Sequence, residues 1–575
     1  MVLRDRNHPC VAAWELLNET WNGDPLCGHA RDFLPRLRDL DPTRLVFLNS
    51  GRFDKEMNVG SCSNPGSSQW DHVWGAEAPD CPPVASGAAH YPSVDGAGDF
   101  HLYPAFPQSA RASAYIRKLG QGTKPVFLSE YGMGSLQDVI SELRHYEEVG
   151  ARPDLEDAAW CRSQVERLCA DWKRLGLEGV YPFVEDMLRD SQRLCARQRT
   201  MGFDLIRSNP QICGFNLTGL LDHGMSGEGL WRFWREWKPG MFDAVADGWS
   251  PLRWCLFADP LHAYSGREIA IEAVLANEGV LRPGAYPVRL RLLGPKGCVW
   301  EHATTLTVPE RSPLAFPVFA GKVRVDGPEG RYTLAVNLET GGAPSGGRLN
   351  IQVTDPDRMP RLSGQVEAWG LDERVTGWLI ARGLTCKPFD AEGRGGAILV
   401  GKPGDAADEA RWTALLRRME QGAAVAFLDT ALFKDQEPVF RRLPLAEGKC
   451  VGTWEWLYHR ECVAQRHPVF AGLQGHGIMD ADYYGQTISG PMFVDMPTPA
   501  TTLCAAFHTG HISHPGGYRC SLMMAEYRHG AGRFVLNSFA LLEHLDVHPS
   551  ADRLLLNLIL YATLPPTRQS GGTNT

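Results

Sequence analysis

Two glutamates stand at the ends of apolar runs that read as strands. Glu19 follows the run Val11 to Asn18, and Glu130 lies in Lys124 to Gly132, within Ser129-Glu130-Tyr131. Two carboxyl groups at strand ends can cleave a glycosidic bond. One stays protonated and gives its proton to the leaving oxygen, while the other is ionised and attacks the anomeric carbon. A separation of ~5 to 5.5 Å retains configuration through a covalent intermediate, whereas ~6.5 to 9.5 Å admits a water and inverts it. Sequence spacing leaves both outcomes open. Asn18 offers an amide that can hydrogen-bond a sugar 2-hydroxyl, and Tyr103 and Tyr131 offer phenols able to bond a strand-end carboxylate and keep it ionised. Taken singly, a glutamate at a strand end is as a rule solvated or capping, so the pair needs a scaffold that brings it together.

The scaffold is legible as alternation. From residue 11 to about 218 short apolar runs alternate with segments of helical period, the pattern of parallel β/α units whose C-terminal strand ends carry active sites. Val11 to Asn18, Leu45 to Ser50, Asp99 to Pro104, Lys124 to Gly132 and Gln211 to Asp222 are the expected strands. Between the last two lie about 80 residues of mostly helical pattern. Gly51 to Gly98, rich in Gly, Pro and Ser, reads as a long structured loop, and loops of that length tend to be functional. Its Trp70, His72 and Trp74 are equally suited to stacking on a sugar face and to forming the loop's own core. From 255 to 354 the period changes to short alternating strands with turn signals, an antiparallel β-sandwich. After the linker TDPDRMPRL the α/β alternation returns to about 563, and the last residues are polar, rich in Pro and Gly, and expected to be disordered.

The motifs carry a resemblance. RDRNHPCVAAWELLNET resembles the fourth-strand signature of family 2 glycoside hydrolases, the group of β-galactosidases, β-glucuronidases and β-mannosidases. DPTRLVFLNSG, DFHLYP, PVFLSEYG and ICGFNLTGLLD are similar to that family's fifth to eighth strands, in order. The resemblance covers roughly residues 1 to 240 and implies a retaining, β-galactosidase-like β-glycosidase. In it Glu19 is the general acid/base, Glu130 the nucleophile and Asn18 the partner of the 2-hydroxyl. It also implies that His101 and Tyr103 line the glycone site, with Asp222 near the end of the eighth strand; Tyr131 and Trp74 are further candidate substrate contacts on the residue reading alone. Where many relatives have an aromatic in the eighth strand, this chain has Leu217. The chain starts just before what resembles the fourth of eight strands, so an incomplete (β/α)8 TIM barrel of strands 4 to 8, with a truncated N-terminus, is expected. The part from 362 to 563 resembles the class I glutamine-amidotransferase-like fold, of flavodoxin-like α/β type. That fold's chemistry needs a Cys or Ser elbow after AAVAFLD, where this chain has Asp429-Thr430-Ala431, so the part reads as non-catalytic.

The expected fold class is therefore multidomain α/β plus β: barrel portion 1–250, Ig-like sandwich 251–355, amidotransferase-like α/β domain 362–563 and tail 564–575. Composition narrows the partners. With 58 Lys+Arg against 67 Asp+Glu the net charge is −9, and no basic block offers a nucleic-acid or membrane-surface footprint. No apolar run reaches the ~18 to 20 residues of a membrane span. The 15 cysteines form no C-x-x-C pair, so zinc-finger and redox motifs are excluded and reduced thiols in a cytoplasmic setting are favoured. MVLRDRNHPC lacks the apolar core of a signal peptide. His544 and His548 stand four apart with no third ligand in view, so no metal and no cofactor is expected. The expected partner is a carbohydrate, a homo-oligomer stays open, and the rival reading is a non-catalytic carbohydrate-binding or scaffold protein on a degenerate barrel.

Overall fold

The computed structural model describes residues 1–18, 25–50, 98–104, 107–120, 126–223, 226–404, 408–433, 438–443, 445, 447–452, 460–510 and 517–564. Glu19, Trp70, His72 and Trp74, the rest of the Gly- and Pro-rich stretch from 51 to 97, and the tail from 565 lie outside them.

All five expected N-terminal strands are present, within a few residues of their expected bounds. β1 (Ala13–Asn18) and β2 (Leu45–Ser50) pair in parallel, joined by the crossover helix Pro25–Leu40. β3 (Gly98–Leu102), β4 (Val126–Tyr131) and β5 (Ile212–Leu217) form a second parallel sheet in that order. Among the described residues the two sets are separate sheets. On β4, Val126 and Leu128 are buried while Phe127 and Ser129 are half-buried, the two-residue alternation of a strand with unlike faces. Tyr115, Ile116, Leu119, Leu205 and Ile206 complete the core on the buried side.

Between β4 and β5 run three helices, Val139–Glu148, Glu156–Arg174 and Val184–Arg207. Asp138 caps the first, accepting from the Ser141 amide at 3.1 Å. The last helix is apolar on two sides. Its first half, with Val184, Met187 and Leu188, joins a core with Trp172 and Leu177, and its second half, with Cys195, Leu205 and Ile206, joins the β4 sheet. A helix with two apolar stripes must sit between two layers.

The second layer is C-terminal. Strands Thr385–Pro388, Gln365–Trp369, Ala397–Val400, Ala424–Phe427 and Gly532–Asn537 run parallel in that spatial order. The sheet continues antiparallel through Gly517–His529, Thr501–Gly510 and Arg460–Ala464. Ala397–Val400 and Ala424–Phe427 are buried at every position, as strands covered on both faces must be. One face packs on the helix Pro549–Thr563 and its neighbours, and the other shares a single core with Leu168, Trp172, Met187 and Leu188. Trp172 meets Phe507 with ring centroids 5.7 Å apart. Polar ties reinforce the seam: the Tyr518 hydroxyl donates to the Gln137 carbonyl, and Gln164 Oε1 accepts from the Tyr518 amide at 3.0 Å.

The residues from 252 to 354 form two antiparallel-rich sheets of five and three strands around one core that includes Trp254, Leu290 and Tyr332. Fully buried Arg253 ties this unit to the helical layer, bonding Asp204 at 2.6 Å and Asp247 at 2.9 Å. After Ala424–Phe427, where an enzymatic elbow would stand, the Asp429 carboxylate accepts from the Ala431 amide at 2.7 Å and starts a 3₁₀ turn. The described cysteines are free thiols, and no helix among the described residues is long and apolar enough to cross a membrane.

One core shared by the helical layer and the C-terminal sheet predicts one unfolding event. Leu188→Ala in the helix and Phe507→Ala in the sheet should each lower the same denaturant transition, by about 2–5 kcal/mol. Two transitions shifted separately would show instead that the cores are independent.

Candidate active site at the ends of the parallel strands

Glu130 is delivered by a slip in register. Phe100 pairs with Leu128 but His101 pairs with Glu130, so Ser129 is an extra residue in β4. The slip breaks the alternation: Ser129 and Glu130 are both half-buried, and Tyr131 returns to the core. An inserted residue of this kind re-aims a side chain at a strand end.

Two side chains then meet on one carboxylate oxygen, and a third backs one of them. The Tyr103 hydroxyl, just past β3, donates to Glu130 Oε2. His101 Nδ1, on β3, lies 3.1 Å from the same oxygen, and its side chain is buried. Thr218 Oγ1, just past β5, lies 3.1 Å from the Tyr103 hydroxyl. Burial, and then the adjacent Glu130 charge, hold the Tyr103 phenol far above its ordinary pKa of 10.0, so it remains a donor. A carboxylate that accepts from such a phenol is oriented by a charge-assisted hydrogen bond.

Behind this cluster the chain segments leaving β4 and β5 are bolted together. Lys238 Nζ and Asp222 Oδ1 are 2.6 Å apart with both side chains 0% exposed. Lys238 also donates to the Gly227 carbonyl at 2.5 Å and to Ser135 Oγ at 3.1 Å, so its three protons are used. Asp222 Oδ1 also accepts from the Gly229 amide at 2.8 Å, and the Ser135 amide donates to Gly227 O at 2.8 Å. Only glycine fits at 227, because a Cβ there would fall 2.2 Å from the Ser135 carbonyl oxygen. Buried Arg199 donates to the carbonyls of Met133 and Glu228. Burial raises the pKa of Asp222, against the pull of Lys238. Beside them Glu142 accepts from the Phe233 amide at 3.1 Å, and burial pushes it up to about 8.

The structure thus brings His101, Tyr103 and Glu130 together. Tyr131 is 1% exposed and turned to the helices, where a Cβ on Gly202 would meet its hydroxyl. Asp222 lies in the buried layer behind the strand ends, and Asn18 is exposed at the end of β1, in register with Ser50. Glu19 and Trp74 lie outside the described residues. Thr218, His223, Glu228, Lys238 and Arg199 were not singled out by sequence. The signal available was a run of charges among glycines, DHGMSGEG, too polar to read as plain core. Among the described residues no group of three or more His, Cys, Asp or Glu forms a cation site, and His548 Nδ1 is engaged by Ser550 Oγ at 2.8 Å. A cavity of about 810 Å³ lined by Arg193, Arg197, Asp243, Asp247 and Arg348 involves none of the strand-end residues.

Residues 1–160 match the family model described as glycosyl hydrolases family 2, TIM barrel domain. That stretch contains β1 to β4 and both strand-end glutamates, and the match supports a glycoside hydrolase. No curated protein matches the chain. Among solved structures, Bacteroides uniformis β-glucuronidase 2, covalently bound to cyclophellitol-6-carboxylate aziridine, is similar at 12% identity and a TM-score of 0.24, over 63% of this chain and 37% of that one. A Paenibacillus sp. cycloisomaltooligosaccharide glucanotransferase, complexed with cycloisomaltoheptaose, is similar at 13% identity and a TM-score of 0.16, over 30% of this chain and 27% of that one. At such TM-scores these two likenesses carry no weight for fold or chemistry.

The bolt predicts a pH-dependent cost. Lys238→Met leaves the Asp222 carboxylate buried without its cation and should destabilise the chain by about 3–5 kcal/mol near pH 8. Because burial holds the folded-state pKa of Asp222 above the unfolded value, the folded variant takes up a proton more readily, so its deficit should shrink as pH falls. Denaturant melts of wild type and variant at pH 5.5 and 8 check the sign; an equal deficit at both would sink this account.

Proposed function

We propose that this chain carries the nucleophile side of a retaining β-glycosidase, with Glu130 as nucleophile and Glu19 as general acid/base. The observation that carries the reading is the convergence of Tyr103 and His101 on one oxygen of Glu130 at the C-terminal edge of a parallel sheet. In the first step Glu130 attacks the anomeric carbon as Glu19 protonates the departing oxygen, giving a glycosyl ester on Glu130. In the second, Glu19 takes a proton from water, which attacks the same carbon and releases Glu130. Tyr103 orients Glu130, and Asn18 at the end of β1 bonds the sugar 2-hydroxyl. A neutral β-galactoside is the first substrate to try. The C-terminal α/β part serves as a packing module for the helical layer rather than as an amidotransferase, a reading supported by their shared core and by Asp429 where a nucleophile would stand.

Incubation with 2-deoxy-2-fluoro glycosyl fluorides, followed by intact-mass spectrometry, should show one sugar-sized adduct on the wild-type chain and none on Glu130→Gln. Tyr103→Phe should still form the adduct, but its formation should slow roughly 10- to 100-fold for the loss of a charge-assisted hydrogen bond. A folded wild-type chain that binds sugars without ever forming the adduct would favour the carbohydrate-binding alternative.

A further inference from the structure

Glu228 belongs to neither the Lys238 bolt nor the Glu130 cluster, yet it lies between them. Its side chain is 1% exposed, and Oε1 takes His223 Nε2 at 2.5 Å. Its Oε2 is buried with no hydrogen-bond partner among the described residues. The peptide is fixed on both sides, since the Glu228 amide donates to Ser226 Oγ at 3.2 Å and the carbonyl accepts from Arg199. Gly132, two residues past Glu130, separates this carboxylate from Tyr103. A Cβ at 132 would fall 2.7 Å from the Tyr103 ring and 3.3 Å from Glu228 Oε2. Glu228 therefore stands beside the phenol that holds Glu130, and His223 stands one side chain further out.

His223 is the exposed member, with its side chain 62% accessible. A buried carboxylate fixed on one ring nitrogen sets the tautomer and direction of an imidazole, leaving the other nitrogen for a ligand. From this geometry we infer that His223 is a further substrate-binding residue, offering Nδ1 to a sugar hydroxyl at the rim of the Glu130 site, and that Glu228 is the positioning residue that aims it. This rests on the glycosidase reading above. The charged and titratable groups around the pair are Asp222 and Lys238 on the same segment, Arg199 from the helix Val184–Arg207, Tyr103 just past β3 and Glu130 on β4. The hydrogen bond to Glu228 is the main cause raising the His223 pKa above its ordinary 6.5.

The test is steady-state hydrolysis of an aryl β-glycoside, chosen by the trapping panel, from pH 5 to 9. Wild type should show an ionisation above 6.5 in kcat/KM that His223→Ala abolishes and Glu228→Gln moves downward. His223→Ala should raise KM about tenfold or more, with kcat within about threefold, the pattern of a lost binding contact. A purely structural role would lower the active fraction and move no ionisation. Because His223 is exposed, its alanine variant remains informative even if Glu228→Gln fails to fold. An active wild type whose variants keep its KM and pH profile overturns this inference and leaves the glycosidase reading standing. A wild type that neither hydrolyses nor traps any glycoside overturns both.

Discussion

Everything at the strand ends depends on one buried ion pair. Lys238 and Asp222 lie out of reach of water, where the desolvation of two charges is repaid only if their remaining hydrogen-bonding capacity is met. Lys238 meets it by donating to Gly227 O and Ser135 Oγ, and these bonds decide where the chain goes after β4 and β5. With Ser135 locked on Gly227, the Gly132 to Leu136 segment cannot drift, and neither can Glu130 or Glu228 on either side of it. The pair works as a locator more than as a source of net stability, since an apolar pair of equal volume would hold the core but not the two loop backbones.

A second constraint comes from the helical layer between β4 and β5. Its last helix faces two ways, onto the β4 sheet and onto the C-terminal sheet, so the part of the molecule that holds Glu130 is wedged from behind by residues far along the chain. Tyr518 reaches the Gln137 carbonyl, seven residues past Glu130, and Gln486 Nε2 reaches the carbonyls of Pro107 and Gln108, just past Tyr103, at 3.1 Å each. The segments leaving both strands of the Glu130 cluster are thus pinned by the C-terminal α/β part, one by the strand Gly517–His529 and the other by the 3₁₀ turn Gly485–Ile488. In a packed interior such contacts move as a unit, so the C-terminal part helps fix the geometry around Glu130.

Much of this was legible in the sequence, for stated reasons. Alternation and helical period are local properties, which is why the five strands and the sandwich boundary near 255 fall within a few residues of where the pattern puts them. Tyr103 was readable as a partner for a strand-end carboxylate because it places a phenol one residue past the end of β3. Tyr131 reads as its equal by residue type. What separates the two is the extra residue at Ser129, and a register slip is set by the neighbouring strand, not by β4 itself. The bolt escaped for a similar reason. Asp222 and Lys238 look like surface charges near glycines until the close approach of Ser135 to Gly227 shows what that glycine is for. Amphipathic helices in turn carry no label for their partner, so the second face of Val184–Arg207 could be read while its destination could not.

The strand ends of the C-terminal sheet are tied in a different way. In open parallel sheets ligands bind in the crevice beyond the strand ends where the strand order reverses. Here that point lies beside Gln365–Trp369, which is flanked by Thr385–Pro388 on one side and Ala397–Val400 on the other. The crevice is closed by backbone: the Gly401 amide donates to the Trp369 carbonyl at 2.9 Å and the Lys402 amide to the Gly370 carbonyl at 2.8 Å. A Cβ on Gly370 would lie 2.1 Å from the Pro403 nitrogen, so the seal tolerates no side chain there. The strands Ala397–Val400 and Ala424–Phe427 are buried at every position, and the Asp429 carboxylate is engaged by the Ala431 amide. The sheet's two faces are given over to its own helices and to the helical layer that backs Glu130, which supports the packing role proposed for it.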